Sequence, residues 1–239
     1  MTTLLDSVLQ AHGGLERWKT YDTVTATFVS GGGLMPLKGF DLPPTPSQGI
    51  VSVHEERTVI PAYRQPDQRM VFTPERVAIE KLDGTVVDEL TDPRSSFAGH
   101  SLTTKWNLMQ LAYFNGYARW LYLTTPFFMV MPGFSVTETE PLKEGSEIWR
   151  GLQVTFPPSF GKKQQELYFG PDFRLRRHDY LVDIGGDLPV AQYVYDLVEA
   201  DGFFFPTKRR GYARGPGRKP IHDLLLIKID LSDYHVDRR

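Results

Sequence analysis

Polar and apolar residues alternate along most of this chain, in short runs separated by turn-forming residues. Val24, Ala26 and Phe28, for example, alternate with threonines, which is the two-residue period of a β-strand. The pair Asp83-Gly84, a strong hairpin signal, lies between two such runs. The alternation predicts strands at 23–30, 50–60, 68–73, 77–82, 86–90, 135–140, 149–156, 164–169, 173–182, 190–199, 203–212 and 221–231.

Two segments show helical spacing instead. Near the amino terminus, Leu4, Val8 and Leu9 fall on one helical face, and a helical region is predicted over 3–18 with a break at two glycines. A second helix is predicted over 103–124. Because helices do not alternate with strands, we expect one antiparallel meander of roughly ten strands, an α+β fold that is mainly antiparallel β.

The insert at 102–134 is rich in aromatic residues at spacings of three and four. It is either a core helix packed on the sheet or, in part, the lining of a cavity, since tyrosine and tryptophan combine an apolar face with one polar group. The proline-bounded segment 126–132 is a core segment, a lid or an exposed tip for a partner. The candidate ligand-binding residues are Trp106, Tyr113, Tyr117, Trp120, Phe127, Phe128, Met129, Tyr193 and Tyr195.

Three residues are candidates for proton transfer. His178 and Tyr180 share one face of their strand, and an inward orientation would make His178 the best general acid–base candidate. The alternative register points Leu175 and Leu181 inward and turns His178 outward. His54 lies beside two glutamates on a predicted strand, whose solvated face is the alternative interpretation. The sequence has no hydrolase motif and no phosphate-binding loop, so no cofactor or metal is expected.

Composition narrows the class of protein. A chain of 239 residues is expected to form one domain over 1–239. The absence of cysteine excludes disulfides and thiolate chemistry, and a net charge of −2 gives no electrostatic case for nucleic acid. The first residues lack the basic start of a signal peptide, and no run of 18 apolar residues predicts a transmembrane segment. We therefore expect a cytoplasmic protein, with a homodimer left open.

Three segments together resemble the LolA/LolB-like superfamily of lipoprotein carriers. They are the helix end at 12–18, the hairpin at 167–180 and the "DG…P" hairpin at 201–208. The resemblance implies a strongly curved, incomplete antiparallel barrel whose concave face is plugged by helices, with a cleft for acyl chains. The insert at 102–134 looks longer and more aromatic than the family's plug, so the container is expected to carry over rather than lipoprotein transport.

The pattern and the resemblance together predict a binding protein for a small hydrophobic or lipid-like ligand. The ligand would lie between the sheet and the aromatic helix, in a cavity of several hundred cubic ångströms, the usual scale of ligand sites. One alternative is an enzyme acting on such a molecule in the same cavity. Another is an interaction protein that uses the apolar segment 126–132.

Overall fold

The computed structural model describes residues 2–160 and 163–238, and its strands form one antiparallel sheet. The sheet has 13 strands in the order β6-β5-β4-β3-β2-β1-β13-β12-β11-β10-β9-β8-β7. The strands are β1 (Thr23–Gly31), β2 (Ser47–Ser52), β3 (Thr58–Pro61), β4 (Gln68–Thr73), β5 (Arg76–Lys81), β6 (Val86–Thr91), β7 (Ser135–Glu144), β8 (Glu147–Thr155), β9 (Gln164–Phe169), β10 (Leu175–Val182), β11 (Leu188–Ala200), β12 (Phe203–Arg214) and β13 (Pro220–Asp237).

Pairing between consecutive strands confirms the predicted meander. From β8 to β13 each strand pairs antiparallel with the next, as expected for residues 149–232. The hairpin between β5 and β6 turns at Gly84, whose φ of +90° suits glycine, while the Asp83 carboxylate accepts a 2.8 Å hydrogen bond from the Thr85 amide. The region 50–60 is a correction: it forms two strands, β2 and β3, rather than one.

The two ends of the chain meet in the middle of the sheet. Strand β1 pairs with β2 on one side and with β13 on the other, so Val24 lies opposite both Val51 and Val236. Strands β6 and β7 remain as the two edges, and the sheet is neither closed nor strongly curled. The prediction of a mainly antiparallel β fold is thus confirmed. The prediction of a strongly curved, incomplete barrel is wrong in its curvature.

Short helices accompany one long helix. The first predicted helical region is divided at the two glycines, and the second begins later than residue 103, at the N-cap Asn107. Asn107 and Gln110 exchange side-chain-to-backbone hydrogen bonds of 2.9 Å, a capping box that fixes the start of the long helix. The helices are α1 (Leu4–Ala11), α2 (Leu15–Trp18), α3 (Leu34–Leu37) and α4 (Leu108–Thr124), with 3-10 turns at Pro93–Phe97, Phe127–Val130, Pro158–Phe160, Asp183–Gly185 and Pro216–Arg218.

Helix α4 is the central buried element, with thirteen of its seventeen residues buried. It contacts strands β1 to β6, and Gly116 makes a very close approach to the sheet. A Cβ atom at Gly116 would lie 2.4 Å from the Cβ of Phe72, so no other residue fits without a shift. The Thr58 hydroxyl donates a 2.8 Å hydrogen bond to the Gly116 carbonyl and holds the helix on β3.

The apolar segment after α4 belongs to the core. Phe127 stacks on Trp18 with 4.3 Å between ring centroids, and Phe128 packs against Phe134 and Phe156. The side chains of Phe127, Phe128 and the neighbouring Met129 are all buried. Of the three interpretations of 126–132, the structure therefore supports the core segment and not the exposed tip.

A cleft on both sides of helix α4

Two small clefts border helix α4 and share one ridge of it, formed by Phe114, Ala118 and Tyr122. The first cleft lies between this ridge and strands β9 and β10, and the second lies between the ridge and helix α3, β1 and β13. Their free volumes are about 30 Å³ and 50 Å³. Each has room for only a few water molecules, so neither is the cavity of several hundred cubic ångströms that the sequence predicts.

The aromatic residues of the insert fill most of that space themselves. Tyr117 is the one predicted ligand-binding residue that lines either of the two clefts. Tyr113 packs between Phe72 and Phe97, and Trp106 packs against Phe97 and Phe114. These contacts give Tyr113 and Trp106 a packing role, and neither lines the two clefts, so their contact with a ligand stays a prediction.

Trp120 holds a loop in place. Its side chain is fully buried, and the indole N–H donates to the carbonyls of Ser52 and Glu55 at 3.2 Å and 3.0 Å. Ser52 is the last residue of β2, and Glu55 lies in the connection between β2 and β3. Trp120 thus fixes the bend that divides the predicted strand at 50–60.

A polar network runs along the wall of the first cleft. The Tyr117 hydroxyl accepts hydrogen bonds from the Gln165 amide at 3.2 Å and from the Lys163 ammonium at 3.4 Å. Lys163 also forms an ion pair of 3.0 Å with Asp183, which is paired with Arg94 as well. Burial lowers the pKa of Lys163, although the charge of Asp183 acts in the opposite direction.

His178 points inward, toward this network, and is fully buried. Because the Gln165 amide nitrogen donates to Tyr117, its carbonyl oxygen is the acceptor for the His178 Nε2–H, at 2.5 Å. The Nδ1 atom then carries the lone pair, and it has no hydrogen-bond partner within the described part of the chain. Burial, and secondarily the charge of Arg209, lowers the pKa of His178 to about 3.

A β-bulge explains how His178 and Leu175 both face the core. Leu175 pairs with Phe169 and Arg177 pairs with Tyr168, which leaves Arg176 as an extra residue in β10. After this residue the alternation continues with the inward side chains His178, Tyr180 and Val182. Of the two predicted registers, the one with an inward His178 is correct for this part of the strand, and Leu181 faces outward.

A second cluster of hydrogen-bonded polar side chains, formed by Gln192, Tyr180 and Arg209, lies beside Tyr122. The buried Gln192 amide donates to the hydroxyls of Tyr122 and Tyr180, at 2.9 Å and 3.1 Å. Its carbonyl oxygen accepts a 3.1 Å hydrogen bond from Arg209, whose other terminal nitrogen donates to the Tyr122 carbonyl at 3.1 Å. Burial is the main cause that raises the pKa of Tyr180 well above 10, so its hydroxyl stays protonated.

Four polar residues of this site, namely Gln165, Gln192, Arg119 and Arg209, were not predicted from the sequence. Arg119 lies on α4 among the aromatic residues, and each of the other three lies on the inward face of its strand. A charged residue inside an otherwise apolar helix was the available signal for Arg119. For the three strand residues, the inward face became evident only from the sheet register.

Tyr193 and Tyr195, two of the predicted ligand-binding residues, lie on the face of the sheet opposite to helix α4. Tyr193 accepts a 2.9 Å hydrogen bond from Arg177 and donates one of 3.0 Å to Glu144. Tyr195 is 42% exposed. Neither side chain can contact a ligand beside α4 while the sheet keeps this register.

The outer face has a buried ion pair of its own. Arg177 and Asp179 are both almost fully buried and are joined by two hydrogen bonds, of 2.6 Å and 2.8 Å. Arg214 donates to the same carboxylate at 3.1 Å. Arg177, Asp179 and Arg214 thus bind one another, which explains how charged side chains can be buried on this face of the sheet.

His54 is remote from the cleft. It lies in the bend between β2 and β3 rather than on a strand, its side chain is 52% exposed, and it lies 3.6 Å from Asp22. It lines a separate, open depression of about 690 Å³ with Asp22 and Glu55, away from the clefts beside α4, and its role in proton transfer stays a prediction. Within the described residues, no group of three acidic or histidine side chains is arranged to hold a metal ion, and no helix has the length and apolarity to cross a bilayer.

Solved structures show a related arrangement of strands and helices. A LolA superfamily protein from Nitrosomonas europaea superimposes with a TM-score of 0.57 over 98% of this chain and 92% of its own, at 13% identity. The chain has the LolA fold. A DUF1329 family protein from Desulfovibrio piger (TM-score 0.53, 12% identity, 98% and 92% coverage) shares it. A Vibrio parahaemolyticus domain described as an outer membrane lipoprotein-sorting protein shares it as well. It superimposes with a TM-score of 0.51 at 7% identity, over 98% of this chain and 90% of its own.

These likenesses confirm at the level of fold the resemblance noted in the sequence. At 7–13% identity they concern the LolA fold alone. Comparison of the sequence with family models and with curated proteins finds no match. The chemistry of the clefts therefore has to be argued from the residues that line them.

Proposed function

We propose that this protein binds a hydrophobic, lipid-like molecule in the clefts along helix α4. The observation that carries the proposal is the shared ridge of Phe114, Ala118 and Tyr122, which borders both clefts with apolar surface. Polar groups line the second cleft at only a few positions, as in most small-molecule sites, and lie along one wall of the first. The LolA fold supports the proposal, since the family name refers to lipoprotein carriers.

Binding would require the clefts to widen. Phe114 and Ala118 are only half-buried, so the ridge is the part of α4 that faces away from its closest contact with the sheet. Helix α3, which supplies Leu34 and Met35 to the second cleft, is a single short turn of four residues. Rotation of a few side chains here, or a shift of α3, would join the two clefts into one longer groove.

A neutral apolar probe tests the proposal. We expect N-phenyl-1-naphthylamine to gain fluorescence on binding, and Ala118→Trp to abolish the gain because the indole would fill both clefts. Val87→Trp, on the exposed edge strand β6, adds the same ring far from the ridge and should bind the probe normally. Circular dichroism confirms that both variants are folded. Absence of binding to the wild type, or equal binding by both variants, would refute the proposal.

An enzyme acting on the same molecule remains the alternative function. His178 is inside the molecule, as that alternative needs, and Tyr180 lies beside it with 4.9 Å between ring centroids. However, a pKa of about 3 keeps the imidazole neutral near pH 7, far from the value that suits a general acid or base. We therefore propose that His178 orients polar groups in the site, with Gln165, rather than carrying a proton.

The compartment and the oligomeric state are further parts of the proposal. A cytoplasmic location is to be tested by fractionation of cells that express the tagged protein. Sedimentation analysis tests whether the protein is a monomer or the homodimer that the sequence analysis left open. Neither result changes the argument for the cleft, which rests on residues of one chain.

A further inference from the structure

Arg119 is a buried cation in the second cleft. It lies on helix α4, directly after Ala118 and three residues before Tyr122 of the ridge, and only 8% of the residue is exposed. One terminal nitrogen donates to the Ser47 hydroxyl at 3.1 Å, and the guanidinium lies 4.8 Å above the Phe28 ring. The other terminal nitrogen, Nη1, is buried and has no hydrogen-bond partner within residues 2–160 and 163–238.

No carboxylate of the described chain compensates this charge. Arg119 takes part in none of the ion pairs formed by the described residues, and the one neighbouring titratable group that acts on its charge is the phenol of Tyr63. Burial lowers its pKa to about 10, which still leaves the guanidinium charged at neutral pH. A buried charge without a counter-ion destabilises the folded state, so the position of Arg119 calls for a compensating partner.

A second buried arginine reinforces the positive field. Arg209 lies on the other side of Tyr122, with its guanidinium 4.3 Å from the centroid of that ring, and 1% of the residue is exposed. Its hydrogen-bond partners are the neutral groups of Gln192 and Tyr122, and its Nε atom has no partner in the described part of the chain. The interior around Tyr122 is therefore positive on both sides.

The walls of the second cleft are apolar apart from Arg119 and a few small polar groups. Leu34, Met35, Ile227 and Ile229 lie across from the helix ridge. A ligand that matches this surface has one acidic head and an extended hydrocarbon chain. The head would accept hydrogen bonds from Arg119 and would neutralise its charge, while the chain would follow the ridge.

We propose that the ligand is an anionic single-chain amphiphile, with a carboxylate or phosphate monoester head bound to Arg119. The inference rests on the proposed function, since it names the class of molecule that the cleft binds. Arg119 would supply selectivity for the head, and the apolar ridge would supply most of the affinity. The two contributions can be measured separately, because a neutral molecule of the same chain length retains only the contribution of the apolar ridge.

Three probes of equal chain length test the proposal: laurate and dodecyl phosphate, each titrated below its micelle-forming concentration, and 1-dodecanol, titrated below its solubility limit. We expect the wild type to bind one or both acids at least ~10-fold more tightly than the alcohol, the scale of one charge-assisted contact. Comparison of laurate with dodecyl phosphate identifies the preferred head. Arg119→Met should lose this preference and keep its affinity for dodecanol.

The controls separate the two levels of the proposal. Arg150→Met, which removes a half-exposed arginine of β8, should leave the preference unchanged. Arg119→Met should fold at least as stably as the wild type, because an apolar side chain replaces an unpaired charge. Equal affinity of the wild type for all three probes would overturn the head-group inference and leave the hydrophobic site intact. Binding of none would refute both, and equal weakening of all probes by Arg119→Met would assign the arginine a structural role.

Discussion

The burial of His178 has a measurable consequence for stability at acidic pH. Its pKa is lowered from 6.5 to about 3, so the unfolded chain binds a proton first as the pH falls. The stability that the neutral imidazole contributes is fully present above pH 6.5 and is lost between pH 6.5 and pH 3. From these two pKa values, the loss at pH 5 is about 2 kcal/mol.

The variant His178→Gln isolates this contribution. Glutamine retains an N–H that can donate to Gln165 but does not titrate, so the variant should lack the acid-dependent loss. The free energy of unfolding is measured in urea from pH 7 to pH 5 at constant ionic strength, with tryptophan fluorescence as the signal. We expect the wild-type value minus the variant value to fall by about 2 kcal/mol across this range.

The free energies of unfolding of the wild type and the variant are compared at each pH because other buried groups also titrate. His12, whose pKa is lowered to about 4 by burial, loses stability in the same direction. Glu56, whose pKa is raised to about 8 by burial, acts oppositely, since its stability penalty grows as the pH rises above 4.5. Val182→Ala, a core substitution on the same strand, should give a difference that does not change with pH. A constant difference for His178→Gln would show that this imidazole is not held neutral by burial.

Three further substitutions test the packing around the site. Gly116→Ala should destabilise by about 1–2 kcal/mol in urea unfolding, since the clash with Phe72 outweighs the gain of about 1 kcal/mol in helix propensity; a stabilised variant would contradict this. Lys38→Met should cost about 2–3 kcal/mol, because three backbone carbonyls lose their buried donor, and an unchanged urea midpoint would refute that role. Trp120→Phe should speed amide exchange at 53–57 more than elsewhere, and uniform protection would mean that the indole does not hold this bend.

Much of the fold was predictable because its interactions are local. Alternation and turn residues determine consecutive hairpins, so every pairing from β8 to β13 was expected. The strand predicted at 50–60 fails for the opposite reason. Its break depends on the indole of Trp120, which is distant in the sequence and donates to the carbonyls of Ser52 and Glu55. The local sequence pattern of residues 50–60 therefore cannot reveal the break.

The orientation of side chains was harder to predict where both faces of the sheet are buried. On β11, Gln192 faces helix α4 and Tyr193 faces the outer cluster around Arg177, although apolar character favoured the reverse. On β10, one extra residue at Arg176 changes the face of every later side chain. Hydrophobic alternation cannot resolve either case, because each face carries its own mixture of aromatic and charged residues.

The small clefts and the unpaired arginines have a common explanation. The residues along the aromatic ridge are closely packed, and Arg119 and Arg209 lie buried beside neutral partners, which is costly in stability. An anionic amphiphile would remove part of that cost and fill the groove that opens, so it should raise the melting temperature more than a neutral chain of equal affinity for the ridge. Stabilisation by laurate that exceeds stabilisation by dodecanol, and that disappears in Arg119→Met, would show that the cation and the groove act as one site.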